Sequence, residues 1–263
     1  MHLNFGLSTT ILNHTRRLTM PTLDIAGDAR RIIDVVKNGG IALVPQHTGY
    51  AMCGASMAPL RKIFDTKQRG GHKRNAMAAD LPMQRDLMTL DKRAQEMVEA
   101  IVLDYDLPLG VIGPFRPDHP LLARLGDEAL KASSAGGTIG NLLNAGPLHK
   151  ELTRISREEL VPLFGSSANI SGTGSRFTIE EVQPELRAIA DIQVDHGLCR
   201  YHMYGRSGTL INFQTMQVIR FGACYDLIAD VLRRWFRVEL PQDPGMAALP
   251  SGHVNEFALS NVA

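Results

Sequence analysis

The chain has 263 residues, 44% hydrophobic and 21% charged, with a formal net charge of +1. That balance is ordinary for a globular protein and leaves no overall field to attract nucleic acid or an anionic membrane, so any anion site must be local. Three widely spaced cysteines, Cys53, Cys199 and Cys224, argue against a disulfide framework and for a reducing cytoplasm, and no apolar run reaches the roughly 18 residues of a membrane span.

Residues 1–23 hold no acid but lack the continuous apolar stretch of a leader, and read as an N-terminal extension. Asp24 or Asp28 can cap a helix running to Lys37, with Ile32, Ile33, Val35 and Val36 on its apolar side. Gly39-Gly40 ends it, and Ile41–Val44 is a short buried strand stopped by Pro45. A helix from Pro59 to Phe64 precedes a basic loop, and helical spacing returns over residues 91–103. Strands are expected at 109–112, 138–143, 161–164, 192–194, 208–211 and 217–220, with helices at 120–131, 147–154, 179–190 and 225–236. Pro241 to Ala263 is rich in Pro, Gly and small residues, so 239–263 reads as a flexible tail and 24–238 as one domain. Strands and helices alternate without strict βαβ order, which predicts an α/β fold with a mixed sheet and flanking helices.

Two segments carry chemistry. Residues 61–74 hold six Lys or Arg against one Asp, a dense positive cluster in a nearly neutral chain. Lys67 and Arg69 lie two apart, so in an extended segment both point to one side, and an ammonium with a guanidinium suits phosphate oxygens. Gly70-Gly71 would allow close backbone approach to a ligand. By composition alone the same run is also a solvated basic loop. In the second segment, Leu163 to Gly172, an apolar strand runs into Ser166, Ser167, Asn169 and Ser171, offering hydroxyls and an amide at a strand end. The competing reading is a turn that caps a helix. His196, Cys199 and His202 stand three apart but lack the fourth ligand of a closed zinc site. His119, just before Pro120, reads as a helix-capping residue.

Taken in order, these pieces resemble the YrdC-like family of threonylcarbamoyl-AMP synthases over about residues 28–225. Gly39–Tyr50 is similar to the family's first strand and its Pro-Thr-Asp-Thr-x-Tyr-Gly loop. Lys67-Gln68-Arg69 matches Lys-x-Arg, and Ser167–Gly172 matches Ser-x-Asn-x-Ser-Gly. Asp195-His196-Gly197, Thr209–Asn212 and Ile219–Gly222 follow in family order. The resemblance implies a single YrdC-like domain whose twisted mixed sheet surrounds a large concave basic cavity. It implies an enzyme that joins L-threonine, bicarbonate and ATP into threonylcarbamoyl-AMP with release of pyrophosphate, for tRNA modification. Lys67, Arg69, Ser167, Asn169 and Arg220 would hold the ATP phosphates, Mg2+ would help neutralise them, and Thr48, Tyr50 and Lys73 would meet the smaller substrate. Adenylyl transfer needs positioned cations and dipoles, not a covalent nucleophile, so no catalytic residue is assigned.

The smaller-substrate side departs from the pattern. Gln46 and His47 replace the first Thr and the Asp of the loop, Gly110 stands where a threonine is usual, and Leu142 where an arginine is usual. A leucine cannot pair with a carboxylate, and losing such a pair costs about 2–5 kcal/mol of ligand binding. The expectation is retained nucleotide use with an altered acceptor, any replacement charge coming from His47, Arg116, His149 or Arg154. The alternative is a non-catalytic nucleotide- or RNA-binding module.

Overall fold

A computed structural model describes residues 23–68 and 74–254. The first helix, α1 (Ile25–Lys37), is capped by Asp24, whose carboxylate accepts the Gly27 N–H at 3.0 Å. Its buried stripe of Ala29, Ile32, Ile33 and Val36 packs with Leu148, Leu152 and Ile155 of α7 (Pro147–Glu159). Arg30 and Lys37 reach from α1 to Glu159, but these exposed pairs contribute little beside the apolar seam.

Among the described residues ten strands form one mixed sheet. They are β1 (Ala42–Val44), β2 (Ala51–Gly54), β3 (Ala76–Ala78), β4 (Leu109–Pro114), β5 (Ser134–Ala135), β6 (Thr138–Leu143), β7 (Phe164–Ser167), β8 (Ile192–Gln193), β9 (Leu210–Asn212) and β10 (Gln217–Arg220). Their order is β10-β9-β4-β6-β3-β7-β2-β1-β8, with β5 paired to β6. The sheet mixes parallel pairs, such as β3 with β6, and antiparallel ones, such as β2 with β7.

Side-chain alternation gives the sheet two different faces. Leu43, Met52, Met77, Phe164, Val111 and Ile211 point into the larger core. That core is covered by α2 (Met57–Thr66), α3 (Leu81–Leu87), α4 (Lys92–Glu99), α5 (Pro120–Leu125), α6 (Asp127–Ser133) and α9 (Tyr225–Phe236), with α8 (Pro184–Ala188) at its side. On the other face α1 and α7 cover only the β1 and β2 end. The remainder of that face, over β7, β3, β6, β4 and β9, forms the floor of a cavity. No helix of the described residues is long and apolar enough to cross a membrane.

Several expected elements shift for local reasons. The 161–164 strand moves to 164–167, because Gly165 and the serines pair with Ala51–Cys53, so Ser167 lies inside the sheet. The 120–131 helix breaks at Gly126, whose φ of +83° no helix accommodates. The 179–190 helix shrinks to α8, where Pro184 sets a new start. Strands β2 and β3 and helix α3 escaped the sequence reading, since two short runs of Ala, Met and small residues carry little strand propensity. Residues 239–254, expected within a tail, pack on the fold: Leu249 is buried with Val218, Phe221 and Tyr225.

Candidate functional site

The cavity has a volume of about 450 Å3. Among the described residues its lining includes Lys67, Arg74, Arg206 and Arg220 and no Asp or Glu. One wall is the end of β7. Ser167 pairs with Ala51 of β2, and the chain then turns through Asn169, held by the Ala168 N–H to the Tyr50 carbonyl at 2.7 Å. Lys67 closes α2 and is only 1% exposed. Its Nζ donates to the Ser167 carbonyl and, at 2.5 Å, to the Asn169 carbonyl. The Ser171 N–H returns to the Lys67 carbonyl at 3.0 Å, so lysine and turn lock each other.

Lys67 and Gln68 are not extended as expected. Lys67 is αR at the helix end and Gln68 has φ +50°, so the two-residue spacing does not by itself put Lys67 and Arg69 on one side. Arg69 and Lys73 lie outside the described residues.

The second wall lies two to four strands away, about 10–19 Å by strand spacing. Leu142 of β6 stands in register with Gly110 of β4, which pairs with Leu210 of β9, and Ala78 of β3 flanks Leu142 on the other side. A Cβ on Gly208 would lie 3.7 Å from Leu142 Cδ1 and from Thr48 Oγ1, so Thr48 and Leu142 share one corner. Arg220 borders that corner too, its Nε donating to the Gly208 carbonyl at 2.8 Å. Three of the four departures from the motif pattern, Gln46, Gly110 and Leu142, line this cavity. The strand positions at this corner, Gly110, Leu142 and Leu210, carry no cation of their own.

Of the replacement charges considered from sequence, His47, Arg116, His149 and Arg154, none lines the cavity. His47 meets Tyr201 edge-on, Arg116 pairs with Asp86, and Arg154 is spent on Glu151 and Glu158 at the surface. His149 sits behind the floor, its Nε2 against the Leu142 carbonyl at 3.1 Å, which identifies Nε2 as the protonated nitrogen. Burial pushes its pKa down to about 4, so it is neutral near pH 7.

Thr48 is buried at the cavity, as is Tyr50. The Tyr50 hydroxyl donates to Asp195 Oδ1 at 2.6 Å, and burial with that partner holds it protonated. Burial also raises the Cys53 thiol, to about 12, so this cavity-lining sulfur is not a nucleophile. His196 pairs with Asp28, the His202 Nδ1–H donates to the Cys199 carbonyl, and no cluster of metal-ligating side chains occurs among the described residues. His119 accepts the Leu121 N–H and caps α5.

Buried polar atoms without a protein partner gather around the cavity. Six of the eight such atoms among the described residues are on lining residues: Asn75 Oδ1, both amide atoms of Asn141, Ser166 Oγ, Asn169 Oδ1 and Arg206 Nε; Arg176 Nε and Gln183 Oε1 lie elsewhere. Each such group costs about 1–3 kcal/mol when unsatisfied, so this clustering marks a face built for a polar ligand. Sequence reasoning missed Asn75, Arg206, Ser251 and His253. A signal existed only for Arg206, whose Gly205-Arg206-Ser207-Gly208 run precedes a strand as the first two motifs adjoin theirs.

Comparison with known proteins adds a second line of information. Residues 34–222 match the family model Sua5_yciO_yrdC, described as telomere recombination. A Methanocaldococcus jannaschii protein provisionally named threonylcarbamoyl-AMP synthase is 23% identical over 198 residues, covering 73% of this chain and 85% of its own. A hypothetical protein from Streptococcus mutans UA159 superposes with a TM-score of 0.63 at 19% identity, over 80% of this chain and 92% of that one. P. abyssi Sua5, solved in complex with L-threonine, gives a TM-score of 0.59 at 18% identity, over 75% of this chain and 54% of that one.

Proposed function

The chain belongs to the Sua5_yciO_yrdC family, and from that premise we propose that it is an ATP-dependent adenylyl-transferring enzyme of the threonylcarbamoyl-AMP synthase type. The overall reaction of that type converts an amino acid, bicarbonate and ATP to a carbamoyl-adenylate, pyrophosphate and water. The amine and bicarbonate combine to a carbamate with loss of water. A carbamate oxygen attacks the α-phosphorus, and the bond to the bridging oxygen breaks as pyrophosphate leaves. The M. jannaschii relative's name and the threonine bound to P. abyssi Sua5 support this reaction class.

The observation that carries the reading is the lock between buried Lys67 and the Ser167 and Asn169 carbonyls in the cavity wall. Fixing that turn preorganises the Ser167 hydroxyl and the Asn169 amide without reorganisation during reaction. Asn169 Nδ2 donates one N–H to the Ile170 carbonyl at 2.7 Å, which leaves its second N–H for a phosphate oxygen. Ser167, Asn169 and Arg69 hold the phosphates, Lys67 supplies charge from behind the turn, and Arg220 contacts the nucleotide from the Gly208 corner. Thr48, Tyr50 and Lys73 bound the acceptor. No carboxylate among the described lining residues suits magnesium, which usually takes one or two. The described lining therefore does not fit as a holder of that ion, and none of the roles above depends on it.

The apolar corner of Leu142, Gly110 and Leu210 favours an acceptor other than threonine. A pyrophosphate-release screen of the purified chain across amino acids, with and without bicarbonate, tests this. Release that depends on both bicarbonate and an amino acid other than threonine is expected. Ordinary rates with threonine sink the altered-acceptor part. No release with any amino acid, together with salt-sensitive RNA binding, favours the non-catalytic module and overturns the enzyme reading.

A further inference from the structure

The cavity floor changes character from one end to the other. At the β7 end stand Lys67, the Ser167–Asn169 turn and Arg74, which lies two residues before the Ala76 that pairs with Gly165. Farther along, Leu142 is flanked by Ala78 of β3 and Gly110 of β4, and Gly110 by Leu210 of β9. In the next row Gly140 is flanked by Ala76 and Ile112. All these positions line the cavity. Their side chains carry no hydroxyl, amide or charge, and Ala78 packs on the apolar cluster that holds Leu163.

The two glycines in these rows differ in the room they leave. A Cβ on Gly110 would lie 2.7 Å from Leu210 Cδ1 and 2.8 Å from the Thr209 carbonyl oxygen. The Leu210 side chain therefore covers Gly110 and joins Leu142 in one apolar surface. Gly140 is a dent in that surface. A Cβ there would sit 3.8 Å from Ala76 Cβ and from Ile112 Cγ1, so a methyl group fits at ordinary contact distance. Polar atoms stand at the rim: Thr48 Oγ1, like Leu142 Cδ1, is 3.7 Å from the place a Cβ on Gly208 would take.

We propose that the acceptor is an amino acid with a branched aliphatic side chain, which lies on the Leu142–Leu210 surface and reaches into the dent at Gly140. Its amine and carboxylate face Thr48 at the rim. This deepens the enzyme reading above and rests on it: the bonds made and broken are those of that reaction, and the side chain takes no part in them. The floor selects by what it lacks. A threonine hydroxyl laid on it gives up its water and meets no donor or acceptor, whereas a methyl in the same place loses nothing. Valine and threonine have nearly the same shape, so the preference between them reads polarity alone, and leucine against valine reads the dent. A hydrophobic pocket separates such pairs by about tenfold or more.

The test is pyrophosphate release by the full chain at saturating ATP and bicarbonate, read as kcat/KM for each acceptor, with ATP affinity by calorimetry. Valine is expected to exceed threonine about tenfold or more, and leucine or isoleucine to exceed valine. Gly140→Ala fills the dent without a clash and is expected to lower use of leucine about tenfold, with ATP affinity and melting temperature little changed. Threonine used as well as valine overturns this proposal and leaves the enzyme reading standing. So does a Gly140→Ala variant that keeps its leucine activity. A variant that instead loses ATP affinity assigns the dent to the nucleotide, with the same result. No amino-acid-dependent release from the wild type overturns the enzyme reading, and this proposal with it.

Discussion

The two walls of the cavity are built on one sheet but by different rules. At the end of β7 the backbone is committed: a buried lysine caps the Ser167 and Asn169 carbonyls, and Ser167 is paired in the sheet. At the β4–β6–β9 wall the same floor carries Gly110, Leu142 and Leu210, with no cation on the strands themselves. The charge there comes from the neighbouring edge strand, through Arg220 of β10. A phosphate-binding turn is costly to alter because its geometry is locked by mutual hydrogen bonds. A specificity wall changes one side chain at a time without disturbing the sheet.

The largest expected effect breaks the first wall. Asn169→Ala removes the amide from a preorganised turn and is expected to lower pyrophosphate release by about 100-fold or more. Steady-state kinetics check this, and an unchanged rate would move the phosphates elsewhere. Lys67→Met instead withdraws a charged donor from two buried carbonyls, an expected stability loss of about 2–4 kcal/mol by denaturant titration. A variant as stable as wild type would show that the lock holds nothing.

Leu142→Arg sharpens the contrast from the other side by restoring a cation to the apolar wall. Use of threonine, read as amino-acid-dependent pyrophosphate release, is expected to rise about tenfold or more. No gain for any carboxylate-bearing acceptor would show that position 142 does not set specificity.

Acid again separates the walls. His149 titrates at about 4 in the folded chain, below its ordinary 6.5, so the unfolded chain binds the extra proton. Stability supplied by neutral His149 is complete above pH 6.5 and is lost as pH falls from there towards 4, at most about 3 kcal/mol. Because His149 donates to the Leu142 carbonyl, exchange protection of β6 is expected to fall with it, and His149→Gln to flatten the profile. Equal pH slopes for wild type and variant would contradict the assignment.

Much of this was legible in the sequence where one physical signal dominated. The Asp24 cap, β6, β10 and α9 all follow from spacing and punctuation and lie where those signals put them, and the α1 stripe does so at Ile32, Ile33 and Val36, with Ala29 buried in place of Val35. The membership in the family rested on ordered motifs, each weak alone. What could not be read was anything created by pairing. Ala51–Gly54 and Ala76–Ala78 become strands because neighbours supply their hydrogen bonds, and Ser167 belongs to a strand for the same reason. Composition made the segment after residue 238 look like a tail, since proline, glycine and alanine carry no periodic signal. Its anchors, Arg206 and Phe221, are long-range and invisible to local reasoning.

The central claim is that the β7 turn holds the nucleotide's phosphates. A crystal structure of the chain with a non-hydrolysable ATP analogue tests it most directly. The account predicts phosphate oxygens within about 3 Å of the Ser167 hydroxyl and the Asn169 amide, with Lys67 still seated behind the turn. A triphosphate lying instead against Gly110 and Leu142, or outside the cavity, would contradict it.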